Sequence, residues 1–138
     1  ACGDRILQEV AAVLRGALRE DDLVVRLGGE EFAVLLPSAT AQVTMDIAGR
    51  LAQLISDIRL PVKGGDAAVV TVTVSIGVTI GGDVGGREID LPTALLVGDR
   101  ALYQAKQNGR NRVVYADPTL PSTQVLPDND TRPDETPV

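Results

Sequence analysis

The chain has 138 residues, 44% of them apolar, with 13 basic and 19 acidic side chains and a formal net charge of −6. That is the size of one domain, and the acidic balance argues against a general nucleic-acid binder, which carries a basic excess. The absence of histidine excludes His-based triads, imidazole metal sites and His-centred acid–base chemistry, and the single cysteine, Cys2, excludes a disulfide framework or a Cys-cluster zinc site.

From Asp4 onward Leu7, Val10, Ala11, Leu14, Ala17 and Leu18 recur at helical spacing, which predicts a helix with one buried face. Leu23 to Leu27 and Phe32 to Leu36 are two β-rich runs on either side of Gly28-Gly29. They predict a hairpin, since both glycines accept positive φ without a Cβ penalty. A second helix is expected from Thr40 to Ile58, with Val43, Ile47, Leu51, Leu54 and Ile58 inward and Asp46, Arg50 and Asp57 outward. Strict alternation from Val70 to Ile80 predicts one long strand, and Gly81 to Gly86 a loop. Asp90-Leu91-Pro92 opens a third helix that ends at Asn108 with Gly109 as its cap, and Arg112 to Ala116 is a last strand.

This order is α-β-β-α-β-α-β, an α+β domain with a mixed sheet flanked by helices. It spans residues 1–116. Residues 117–138 hold five prolines and five acids against one base, and they read as a disordered acidic tail. No apolar run reaches the roughly 18 residues of a membrane span, no secretory signal is present, and the expected location is the cytoplasm. The chain opens without Met and enters a helix at once, so it reads as a fragment of a longer protein.

Four groups of residues are candidates for chemistry. Gly28-Gly29-Glu30-Glu31-Phe32 sets two carboxylates beside a tight turn, where a divalent cation takes one or two protein carboxylates and fills its remaining positions with phosphate oxygens and water. A plain hairpin with solvated flanks fits the same five residues. Asp99, Tyr103, Lys106 and Arg110 fall at i, i+4, i+7 and i+11, and the two cations suit one polyphosphate or, equally, a solvated basic helix end. Arg19 and Asp22 suit a phosphate or a guanine edge, or a surface ion pair. Asp4 fits a helix N-cap by position.

Together the pieces resemble the GGDEF family, the diguanylate cyclases. Arg19-x-x-Asp22 stands ahead of Arg26-Leu27-Gly28-Gly29-Glu30-Glu31-Phe32, followed by Val74-Ser75-Ile76-Gly77-Val78 and by Asp99-Arg100-Ala101-Leu102-Tyr103-Gln104-Ala105-Lys106-Gln107-Asn108-Gly109-Arg110-Asn111. The resemblance implies a nucleotidyl-cyclase or polymerase-palm type of sheet with the GGEEF hairpin at the active site. It implies one GTP per domain, and a homodimer in which two GTP condense to cyclic di-GMP and two pyrophosphates with Mg²⁺ or Mn²⁺ as the metal.

Position by position, the resemblance makes Glu30 the metal-binding carboxylate and a participant in 3′-hydroxyl deprotonation, with Glu31 a second acidic catalytic residue. Gly28 and Gly29 let the nucleotide lie against the turn. Lys106 and Arg110 are the triphosphate clamp, and Asp4 accepts from the guanine edge. Arg19 and Asp22, joined by Arg50, form an inhibitory site for the product. The family's first strand and following helix, with a further metal Asp and a guanine-reading Asn, have no counterpart in these residues. The expectation is therefore that the 138 residues alone make no cyclic di-GMP. The alternative reading is a catalytically silent module that senses cyclic di-GMP or GTP.

Overall fold

The computed structural model describes residues 2–62, 64 and 68–120. Helix α1 (Cys2–Ala17) turns Val10 and Leu14 inward, and both are buried. It starts two residues earlier than the apolar pattern suggests, so Asp4 lies inside its first turn rather than at a cap. A carboxylate there still faces the positive end of the helix dipole.

Strands β1 (Leu23–Gly28) and β2 (Glu31–Leu35) pair antiparallel, with Leu23 opposite Leu35, Arg26 opposite Phe32 and Gly28 opposite Glu31. Between Arg26 and Gly28 the register slips by one residue, leaving Leu27 as a bulge that is 58% exposed.

Helix α2 (Ala41–Ser56) is capped by Thr40, whose hydroxyl accepts from the Val43 amide at 3.1 Å. Its inward face differs from the expected one. Ala48, Leu51 and Ile55 are buried, whereas Val43 is 46% and Leu54 39% exposed. Asp46, Arg50 and Asp57 are exposed as expected. The i, i+3/i+4 rule alone leaves two overlapping stripes open on so apolar a helix. Contact with α1 selects the one through Leu51 and Ile55, which joins Val10, Leu14, Ile58 and Leu60 in the main core.

The expected long strand is interrupted. Strand β3 (Leu60–Pro61) pairs antiparallel with β4 (Val69–Val70), and the ladder resumes only at β5 (Ile76–Val78). Between them Thr71 and Thr73 are exposed while Val72 and Val74 pack on the main core, so side-chain alternation persists. Among the described residues nothing pairs with 71–75, and alternation without a partner makes no ladder.

The segment expected to be a loop contains a hairpin, β6 (Gly82–Val84) with β7 (Arg87–Ile89). Gly85 and Gly86 form its two-residue turn at φ 60° and 85°, and the Asp83 carboxylate accepts from the Gly86 amide at 3.2 Å.

Helix α3 (Leu91–Gln107) starts at Asp90, whose carboxylate accepts from the Thr93 amide at 2.9 Å. It lies against β5 so closely that a Cβ on Gly77 would run into the Gly98 carbonyl oxygen and the Leu102 amide nitrogen. Strand β8 (Val113–Tyr115) pairs parallel with β5, and Val97, Ala101 and Ala116 form a smaller core beneath α3.

The architecture is thus α+β with parallel and antiparallel pairing. Among the described residues the strands form four two-stranded ladders rather than one continuous mixed sheet. Of the tail, Asp117–Leu120 forms a turn closed by the Leu120 amide on the Asp117 carbonyl at 3.2 Å and by Thr119 on the Asp117 carboxylate. Arg87 fastens this turn by donating to the Thr119 carbonyl at 3.1 Å. The rest of the expected disordered tail, 121–138, lies outside the described residues.

Candidate active site: the GGEEF hairpin and the groove beside helix α1

One face of α1, with Asp4, Leu7, Gln8, Ala11 and Arg15, stands against Val24, Arg26 and Phe32 of the hairpin. Between them lies an open groove of about 510 Å³ lined by both apolar and polar side chains. Helical spacing explains the first set, since these five positions recur at i, i+3, i+4, i+7 and i+11. Strand alternation explains the second, because Val24 and Arg26 share one face of β1, and Arg26 sits opposite Phe32.

At the end of this hairpin the two-residue loop is Gly29-Glu30, one position later than the Gly28-Gly29 centre that the sequence suggests. Gly28 has φ 150° and Gly29 φ 52°. A Cβ at either position would meet nothing within 4 Å. Backbone conformation therefore favours glycine at both positions, most of all at Gly28, and the space above the turn is open. The Arg26 guanidinium donates to the Gly29 carbonyl through Nε at 3.0 Å and Nη2 at 2.6 Å, which ties the tip to the strand. Glu30 and Glu31 are both exposed there.

These two carboxylates offer hard oxygen donors of the type Mg²⁺ and Mn²⁺ take. Among the described residues they join no group of three or more His, Cys, Asp or Glu able to enclose an ion. The donor set fits a cation that arrives with phosphate oxygens, and it does not form an all-protein cage.

Lys106 is half-buried in the last turn of α3. The helix ends in a Schellman arrangement: the Arg110 amide donates to the Ala105 carbonyl at 2.9 Å, the Gly109 amide to Lys106 at 3.5 Å, and Gly109 has φ 117°. Arg110 follows at φ 62° and Asn111 at φ 49°, so Arg110 is not on the helical face that its spacing from Asp99 suggested. The cap, not the helix, sets it one turn beyond Lys106. Two bonds pin this exit: the Asn111 amide to Ser75 Oγ at 3.2 Å, and Arg112 Nε to the Arg110 carbonyl at 3.0 Å. Asp99 is exposed and Tyr103 half-buried on α3.

Arg19 and Asp22 close a turn after α1 by a reciprocal pair. The Arg19 amide donates to Asp22 Oδ2 at 2.8 Å, and the Asp22 amide to the Arg19 carbonyl at 3.0 Å. Asp22 is held by backbone, not by the guanidinium that a surface ion pair would use. Arg50 stands on the exposed side of α2.

The fold therefore brings Asp4 together with the hairpin, and it brings Lys106 and Arg110 together at one helix end. No hydrogen bond or ion pair joins Glu30 to Lys106 among the described residues. Sequence reasoning missed Gln8 and Arg15 as groove residues, although their spacing from Asp4 along α1 was readable. The carboxyls held below their ordinary range are Asp90 and Asp117, through hydrogen bonds from Thr93 and Thr119, while burial pushes the Tyr115 phenol up. All three serve caps and core.

Residues 1–112 match the family model described as "Diguanylate cyclase, GGDEF domain". The chain is 36% identical over 124 residues to Diguanylate cyclase A of Treponema denticola, covering 88% of this chain and 31% of that protein. It is 40% identical over 113 residues to the response regulator PleD of Caulobacter vibrioides, covering 81% of this chain and 24% of PleD. The chain thus spans about a third or less of these curated relatives. Among solved structures it is similar to the diguanylate cyclase SiaD of Pseudomonas aeruginosa, solved in complex with its activator SiaC. The TM-score is 0.73 at 34% identity, over 83% of this chain and 41% of that one. The arrangement of hairpin, groove and capped helix end, read with these matches, makes the chain a member of the GGDEF domain family.

Proposed function

We propose that this chain supplies the nucleotide site of a diguanylate cyclase that condenses two GTP into cyclic di-GMP and two pyrophosphates. The observation that supports it most is the groove in which Asp4 faces the GGEEF hairpin, with the acidic tip at the hairpin's end. Asp4 accepts the paired N1–H and N2–H donors of guanine, a pair adenine lacks. The open space above Gly28 and Gly29 admits the nucleotide, and Lys106 and Arg110 hold the triphosphate, Lys as a point charge and Arg as a fork.

Glu30, with Glu31 beside it, would hold a divalent cation, which would neutralise triphosphate charge and acidify the 3′-hydroxyl. Glu30 lies at the tip to receive that hydroxyl's proton, and Glu31 adds negative charge beside it. The freed 3′-oxygen forms a bond to the α-phosphorus of the other GTP, and the bond from that phosphorus to pyrophosphate breaks. One site holds one nucleotide, so the reaction takes two copies facing each other. The chemistry belongs in the cytoplasm, where GTP is supplied. Among the described residues no helix is long and apolar enough to cross a membrane.

Arg19 and Asp22, with Arg50, bind the product and restrain the enzyme. The 138 residues alone are expected to make no cyclic di-GMP, because the further metal Asp and the guanine-reading Asn that the resemblance implies have no counterpart among them. The alternative reading is a silent module that senses cyclic di-GMP or GTP. Glu30→Gln in the longer protein separates the two. It abolishes product formation with GTP still bound if the cyclase reading holds, and unchanged turnover removes Glu30 from the mechanism.

A further inference from the structure

We infer that Ser75 is a positioning residue for the triphosphate clamp, its hydroxyl fixing the left-handed backbone from which Arg110 projects. The inference rests on the reading of Arg110 as a phosphate ligand and adds to it a residue from a different element of the fold. Arg110 and Asn111 both have positive φ, 62° and 49°, and neither is glycine. Left-handed backbone is costly for a residue with a Cβ, and it persists only where the surrounding structure holds it.

Ending α3 does not call for this conformation. The cap is complete with Gly109 at φ 117°, its amide on the Lys106 carbonyl and the Arg110 amide on the Ala105 carbonyl. Arg110 and Asn111 need other bonds to stay left-handed. Arg112 Nε donates to the Arg110 carbonyl at 3.0 Å, but Arg112 is two residues away and moves with the segment. Ser75 stands 36 residues away in the chain, immediately before β5, and its Oγ accepts from the Asn111 amide at 3.2 Å. The next amide, Ile76, donates to the Arg112 carbonyl at 2.9 Å, so consecutive residues at the start of β5 hold consecutive residues of the exit. Among the described residues the Ser75 bond is the one that ties 110–111 to an element other than α3.

The consequence falls on direction. An Arg fork bonds phosphate oxygens only when its plane is aimed at them, whereas the Lys106 ammonium acts as a point charge. Arg110 is exposed, so its backbone rather than packing sets the direction in which it leaves the chain. Without the Ser75 oxygen the exposed Asn111 amide takes a water instead, and the left-handed pair is free to relax.

The test is equilibrium binding of GTP with Mg²⁺ to the full chain, to Ser75→Ala, Ser75→Thr and Arg110→Ala, and to the double variant Ser75→Ala/Arg110→Ala. Ser75→Ala is expected to weaken binding by about three- to tenfold, a share of the loss in Arg110→Ala. Ser75→Thr, which keeps the hydroxyl, is expected to bind as the unaltered chain does. In the Arg110→Ala background, Ser75→Ala is expected to cost nothing more, because a hydroxyl that acts through Arg110 has nothing left to aim. An equal loss in both backgrounds, no loss in either, or a loss in Ser75→Thr as large as in Ser75→Ala overturns the role of Ser75 and leaves the clamp standing. An Arg110→Ala chain that binds GTP as tightly as the unaltered one, or an unaltered chain that binds no GTP, overturns the reading beneath it. Helix content by circular dichroism confirms folding of each variant, and an unfolded Ser75→Ala is replaced by Ser75→Cys, whose sulfur accepts only weakly, in the same comparison.

Discussion

The Arg26 guanidinium grips the Gly29 carbonyl from three residues back along the same hairpin, with donors at 3.0 and 2.6 Å. This strap fixes the turn that presents Glu30. Arg26→Ala is expected to lower stability by about 1 kcal/mol, since a charged donor on a carbonyl is worth more than a neutral one but this pair is solvent-exposed. The larger effect falls on the tip. Amide exchange at Gly29, Glu30 and Glu31, measured by NMR, is expected to speed up while the exchange of α2 amides holds.

Gly77 lies where α3 meets β5, and any Cβ there strikes backbone atoms of Gly98 and Leu102. Backbone cannot move aside as a flexible side chain does. Gly77→Ala is expected to destabilise by about 1–3 kcal/mol through overpacking, read as a lower midpoint in urea. A midpoint equal to that of the unaltered chain contradicts this packing.

The turn between α1 and β1 separates two roles usually lost together. Asp22 accepts from the Arg19 backbone amide, so Arg19→Ala leaves the turn intact and removes only a guanidinium. Arg19→Ala is expected to weaken cyclic di-GMP binding at unchanged thermal stability, whereas Asp22→Ala lowers both. Calorimetric titration with cyclic di-GMP and a melting curve read the two effects. Undiminished affinity in Arg19→Ala counts against the inhibitory site.

Asp90 caps α3, and its hydrogen bonds from Thr93 hold its pKa below the ordinary 3.8. A carboxyl depressed in the folded state contributes stability that is fully present above the unfolded value and is lost as pH falls through the folded one. Melting temperature is therefore expected to fall with pH below about 4 more steeply in the unaltered chain than in Asp90→Asn, which keeps a capping oxygen but does not titrate. Parallel curves in that range would show that the cap carries no linkage.

The legible parts of this fold were those set by local chemistry. Thr40 and Asp90 announce helices, Gly28-Gly29 a hairpin, and Gly109 a helix end. The parts that were not legible depend on what lies across from them. Val70 to Ile80 alternates whether or not a partner strand is present, and only pairing shows that 71–75 stand outside a ladder. Val43 and Leu54 look as apolar as Ile55, and the packing partner decides which face is buried. Gly85-Gly86 carried the same turn signal as Gly28-Gly29, but its flanking strands are only three residues long and their alternation is weak. At the site, Asp4, Glu30 and Lys106 came from a motif. Gln8 and Arg15 needed the groove, since a polar helix residue reads as solvated until something stands opposite it.

On the proposed function, the acidic tip and the cationic end of α3 act on one nucleotide. Titrating GTP into the unaltered chain, Glu30→Gln, Lys106→Met and the double variant, with and without Mg²⁺, tests it directly. Lys106→Met is expected to weaken GTP binding under both conditions, Glu30→Gln to abolish the gain from Mg²⁺, and the two losses not to be additive when Mg²⁺ is present. GTP affinity unaffected by either substitution, or strictly additive losses with Mg²⁺ present, would contradict it.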